Sequence, residues 1–158
     1  MNPAPFCLIG IVNVTPDSFS DGGKYIDPRN AVAHGLRLLD EGAGMLDLGA
    51  ESTRPFAEPV PEGEEIARLM PVVARLREQR PDAVLSVDTL KAGTARAALE
   101  GGADIINDVS ACVADPALLD VLAEYKPGYV LMHSQGSPRE MQVNPRYGNV
   151  VEEILAFF

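Results

Sequence analysis

VLSVDTLKAGTARAALEGGADIIN, residues 84–107, holds one complete repeat of the architecture. Val84 to Asp88 is an apolar run of strand length, Ala92 to Gly101 has the period of a helix, and Ile105 to Asn107 opens a second apolar run. Gly101 and Gly102 stand where the helix must end, which suits glycine's access to positive φ. Strand, helix and strand in this order form a βαβ unit, whose two strands lie parallel. The same alternation extends in both directions. Cys7 to Val14, Met45 to Gly49 and Tyr129 to His133 are further strands. Asn30 to Glu41, Glu64 to Arg80 and Pro116 to Tyr125 are further helices, and another opens near Asn149 and is still running at Phe158. Gly42 and Gly44 mark the end of the first helix. Five βα units result, and their continuous apolar strand cores predict a parallel sheet covered on both faces.

With 158 residues, 46% hydrophobic and 23% charged, the chain can bury one ordinary core. The net charge of -10 argues against DNA or RNA, because nucleic-acid binding draws most of its affinity from Lys and Arg on phosphates. An anionic small substrate would need a metal ion or a well-placed Arg to hold it. Cys7 and Cys112 lack Cys-x-x-Cys spacing and are expected to be two buried, reduced thiols. Met1 to Phe6 has no basic leader region, and the apolar run from Phe6 to Val14 is too short to span a bilayer and contains Asn13. No membrane role is expected, and the chain reads as cytoplasmic.

Polar residues are concentrated at one place in the repeat. Asn13, Asp47, Asp88, Asn107 and His133 each lie at or beside the C-terminal end of a strand, the end at which parallel α/β folds bind ligands. Taken singly, Asp88 before Thr89 could start a helix, and Asn107-Asp108 could form a turn. Recurrence in all five units favours a shared site.

The loop after the first strand, NVTPDSFSDGG at residues 13–23, is too long and too rich in oxygen donors for a minimal connection. Together with Glu51-Ser52-Thr53-Arg54-Pro55 it resembles the paired signature of the dihydropteroate synthases, the pterin-binding transferases of folate biosynthesis. Ser86-Val87-Asp88-Thr89, Ile105-Ile106-Asn107-Asp108 and Leu131-Met132-His133-Ser134-Gln135-Gly136 continue the resemblance in family order along essentially the whole chain.

This resemblance implies a (β/α)8 TIM barrel of which residues 1–158 supply the N-terminal portion, about the first five βα units. It implies condensation of 6-hydroxymethyl-7,8-dihydropterin pyrophosphate with p-aminobenzoate, giving 7,8-dihydropteroate and pyrophosphate. Asn13 would contribute its side-chain oxygen to Mg²⁺. Asp88 and Asn107 would line the pterin slot and carry the catalytic role. Asp47 is assigned to the same wall, with Val109 and Met132 as apolar contacts that core packing would explain equally well. Asp17, Phe19, Asp21, Ser52, Thr53, Arg54 and Pro55 would shape the two loops over the p-aminobenzoate site. His133 is assigned to phosphate contact or support of the neighbouring loop, and His34 to the helix surface. The partners implied are small molecules, with a homodimer for the full-length protein.

A complete barrel typically needs roughly 250 residues. The chain is therefore expected to stop before the last three strands, leaving the first and fifth strands with unpaired edges and Phe157 and Phe158 without a core partner. Two other readings compete: a half-barrel without turnover, and a methyltetrahydrofolate-type methyltransferase, which is not expected to carry NVTPDSFSDGG or ESTRP.

Overall fold

The computed structural model describes residues 6–15, 27–51, 59–136, 141 and 143–158. Strands β1 (Ile9–Asn13), β2 (Met45–Gly49), β3 (Val84–Asp88), β4 (Ile105–Asp108) and β5 (Gly128–Leu131) alternate with helices α1 (Pro28–Asp40), α2 (Glu62–Gln79), α3 (Ala92–Glu100), α4 (Leu118–Tyr125) and α5 (Val150–Phe157). The five strands form one sheet in the order β1-β2-β3-β4-β5, and every pairing is parallel. Five consecutive βα units in this order are what the first part of a (β/α)8 arrangement requires, with β1 and β5 at the two edges of the sheet.

Local chemistry sets the helix ends. Asp27 caps α1 by accepting from the Arg29 amide at 2.9 Å, with Pro28 in the first turn, where its missing N–H costs nothing. Glu62, Glu64 and Glu65 open α2 and Arg77 lies in its last turn, both matched to the helix dipole. Gly42 and Gly102 take φ of 109° and 98° just after α1 and α3. Arg77 then fastens the N-terminal side of the sheet, donating to the carbonyls of Ala83 and Gly102 and pairing with Asp104 at 2.8 Å.

Successive strand residues face opposite sides of the sheet. Val12, Leu46, Leu48, Leu85, Val87 and Ile106 point outward and are fully buried with Leu69, Val72, Val73 and Leu76 of α2 and Ala95 and Ala98 of α3. Gly10 permits the close seat of α1, since a Cβ there would lie 2.9 Å from Leu46 and 3.0 Å from Leu38.

The inner face departs from the sequence reading of strands covered on both sides. Ile9, Ile11 and Val130 are 54%, 61% and 44% exposed, so in the described residues helices cover one face only. Helix α5 buries no residue, and Phe157 and Phe158 remain 39% and 60% exposed. The two cysteines also differ from expectation: both are free, Cys112 is buried, but Cys7 is exposed because it precedes β1 on the edge of the sheet.

Candidate functional site at the strand ends

The register arranges the inner face in layers. Asn13, Gly49, Asp88, Asn107 and Val130 are consecutive cross-strand partners at the C-terminal rim. One layer below lie Ile11, Asp47, Ser86, Ile105 and Gly128. Of the polar residues picked out in the sequence, Asn13, Asp88 and Asn107 therefore share the rim, and Asp47 sits beneath it. Asp47 nevertheless reaches the rim, because Asn107 Nδ2 donates to its Oδ2 at 3.0 Å. His133 lies two residues beyond β5, and its ring packs against Tyr147 and Phe157 with centroids 5.8 and 4.8 Å away. Met132 and Val109 are half-buried beside the ends of β5 and β4. His34 lies on α1 with Nδ1 2.7 Å from the Arg37 guanidinium. Asp17, Phe19, Asp21, Ser52, Thr53, Arg54 and Pro55 lie outside the described residues.

The pair Asn107-Asp108 divides its work. Asn107 faces inward, while Asp108 faces outward, is fully buried, and organises the following loop. It accepts from the Ser110 amide and hydroxyl at 2.7 Å each, the Cys112 amide at 2.5 Å and the Tyr129 hydroxyl at 2.8 Å. Those bonds hold Ala111 and Cys112 at φ of 53° and 61°, a region that residues with a Cβ rarely occupy. Asp88 is not a helix cap. Lys91 stands at the N-cap of α3, the Thr89 hydroxyl accepts from the Lys91 amide at 3.2 Å in the turn before it, and the first amide of α3 is satisfied by Asp115 at 2.8 Å.

Asp88 is held in an acidic surrounding. Burial pushes its carboxyl up to about 7, with Asp47, Glu65, Asp108 and Glu51 adding to the rise. Near neutrality it can pass between acceptor and donor, a property associated with functional carboxylates. Behind it stands a group that the sequence reading did not identify. The Lys91 ammonium pairs with Glu51 and, at 2.8 Å, with Glu65, which is fully buried and also accepts from the Thr94 hydroxyl at 3.0 Å. Burial works against the charge on Lys91, but its two carboxylate partners raise its pKa on balance. The only signal in the sequence was the placement of Glu51 and Lys91 in loops that follow strands. The rim thus presents a carboxylate and an amide side by side on the open face of the sheet, with a second carboxylate bonded to that amide from below.

A family model described as "Pterin binding enzyme" matches residues 9–158. The chain belongs to that family. It is 46% identical over 157 residues to the dihydropteroate synthase of Mycobacterium leprae, a match covering 99% of this chain and 55% of the relative. Among solved structures, Xanthomonas albilineans dihydropteroate synthase with 4-aminobenzoic acid superposes with a TM-score of 0.84 at 50% identity, over 96% of this chain and 52% of that one. The same species' enzyme in complex with 7,8-dihydropteroate gives a TM-score of 0.78 at 46% identity, over 96% and 51%. The chain thus spans about half the length of the relatives it matches.

Proposed function

We propose that this chain is the N-terminal part of a dihydropteroate synthase, a cytoplasmic transferase of folate biosynthesis that is a homodimer at full length. It would join 6-hydroxymethyl-7,8-dihydropterin pyrophosphate to p-aminobenzoate. The observation that carries the reading is the rim itself: Asp88 and Asn107 are cross-strand partners facing the sheet's open side, with Asp47 bonded to Asn107 from the layer below. A pterin edge presents donors and acceptors in one plane, and a carboxylate beside an amide can read it by paired hydrogen bonds. The bound ligands of the X. albilineans structures, 4-aminobenzoic acid and 7,8-dihydropteroate, support the same substrate class.

Asn13 fits a Mg²⁺ site of the kind completed by substrate. Its amide is exposed at the end of β1, on the inner face with Asp88, and Mg²⁺ commonly takes one or two protein oxygens with phosphate oxygens and water. When bound, the ion would neutralise the pyrophosphate that leaves. No protein nucleophile is required. As the C–O bond to pyrophosphate breaks, the dihydropterin ring spreads the positive charge of the methylene carbon, and ionised Asp88 stabilises that charge electrostatically. The p-aminobenzoate nitrogen then forms the C–N bond and releases a proton. Loops 13–23 and 51–55 would exclude water and complete the amine site.

The relatives are nearly twice as long as this chain, and the βα units they have beyond it would supply further ring-reading and phosphate-binding groups, so catalysis by these 158 residues alone is not expected. Losing one group aimed at a transition state costs on the order of 10²- to 10³-fold. A coupled assay for pyrophosphate release, with both substrates and Mg²⁺, tests this on the chain and on a version extended by three further βα units. Turnover only in the extended protein is the expected result. No turnover in either overturns the assigned activity, and equal turnover in both overturns the need for the remaining units.

A further inference from the structure

We infer that Asp47 is a positioning residue: passing over Ser86, its carboxylate fixes the direction of the Asn107 amide, so that Asn107 offers its carbonyl oxygen and one N–H to the ligand. This rests on the pterin reading above and deepens it, because it specifies what one wall of the slot presents.

Asp47 and Asn107 are not on neighbouring strands. β3 runs between β2 and β4, and with strands about 4.8 Å apart their backbones are separated by roughly 10 Å. A bond of 3.0 Å between the two side chains therefore crosses the inner face of β3. The residue beside Asp47 on that strand is Ser86, and the residue beside Asn107 is Asp88. Ser86 is 1% exposed, although Ile11 of the same layer is 61% exposed. Ile11 is on the edge strand and Ser86 on the central one, where a short side chain leaves room for the bridge to cross. Asp47 Oδ1 and Ser86 Oγ are buried without a hydrogen-bond partner, so among the described residues the Asp47 carboxylate makes its polar contact through the bond to Asn107.

The direction follows from elementary chemistry. A carboxylate accepts and does not donate, so the amide must turn its NH₂ toward Asp47. The reverse orientation would set two acceptors against each other. With one N–H engaged, the carbonyl and the second N–H remain, which complements a ring edge carrying a donor and an acceptor side by side.

Asp47→Asn, Asp47→Ala and Ser86→Val separate this role from a direct charge contact with the ligand. Asparagine keeps an acceptor for Asn107 and loses the charge, alanine loses both, and valine obstructs the crossing while leaving Asp47 in place. Two readouts are taken on the version extended by three further βα units: proton exchange of the Asn107 side-chain amide by NMR, and affinity for 6-hydroxymethylpterin by fluorescence titration. Because Asp47 also helps to hold Asp88 up, affinity is compared near pH 8.5, where Asp88 is ionised in every variant. Protection of one Asn107 amide proton is expected in the parent chain and in Asp47→Asn, and its loss in the other two. Affinity should fall about tenfold in Asp47→Ala and Ser86→Val and less than about threefold in Asp47→Asn. Unchanged protection in Asp47→Ala, or an affinity loss in Asp47→Asn as large as in Asp47→Ala, would overturn the inference. If the extended parent does not bind the pterin but Asp47→Ala loses the protection, the pterin reading fails and the positioning role is supported.

Discussion

Replacing Asp88 by Asn should stabilise the fold at mildly alkaline pH and leave it nearly unchanged in acid. Burial and four neighbouring carboxylates move the Asp88 carboxyl from 3.8 to about 7. A group whose folded pKa lies above its unfolded one binds more protons when folded, so stability falls as pH rises between the two values. Its ionised form thus costs stability that is absent below about pH 4 and complete above about pH 7. Each pKa unit is worth about 1.4 kcal/mol, so three units set a ceiling of about 4 kcal/mol. A denatured chain that keeps some compactness lowers this, and a gain of about 2–3 kcal/mol in Asp88→Asn near pH 8 is the working figure. Urea unfolding of both proteins at several pH values measures it. The difference between the two curves cancels carboxylates that titrate alike in both. A difference that does not change with pH, or a variant less stable than the parent near pH 8, would refute the electrostatic account of the rim.

Asn13→Ala in the extended protein should weaken Mg²⁺-dependent binding of pyrophosphate by about tenfold and leave binding of the bare pterin unchanged, as calorimetry with each ligand would show. Lys91→Met removes the cation that compensates fully buried Glu65 and should cost about 3–5 kcal/mol in urea unfolding, with partial recovery in the Lys91→Met/Glu65→Gln double variant. Asp108→Ala strips the bonds that hold Ala111 and Cys112 at positive φ and should cost about 2–4 kcal/mol, read by the same method. Under native conditions a thiol reagent should modify exposed Cys7 rapidly and Cys112 slowly, because Cys112 is buried and burial also raises its pKa.

The legible parts of the fold were those decided by short-range pattern. β2 and β3 run over the residues read from the sequence, Met45–Gly49 and Val84–Asp88, because glycine or a polar residue bounds each apolar run. α4 begins at Leu118 rather than Pro116, since Asp115 forms a turn first and accepts from the Ala117 amide at 3.1 Å. The openness of the inner face was not legible in strands such as β1. An apolar run shows that a strand is suited to burial, and what covers each side is decided by segments elsewhere. At the site, the strand-end positions of Asn13, Asp88 and Asn107 followed from the repeat. The Lys91 network did not, because its members lie 40 and 26 residues apart and each alone reads as an ordinary solvated charge. The bridge from Asp47 to Asn107 was hidden for the same reason, with 60 residues of chain between its ends.

The nearest-neighbour strand order also bears on how the sheet can be assembled. Each strand after the first pairs with the one immediately before it in the chain, so no loop longer than one βα unit has to close before a new strand is seated. A chain leaving the ribosome can therefore add its units one at a time onto an edge already in place. The cost is an advancing edge with apolar side chains still uncovered. At β5 these are Val130 and Leu131, 44% and 45% exposed, and until the edge is paired it is the part of the sheet most open to joining the wrong strand.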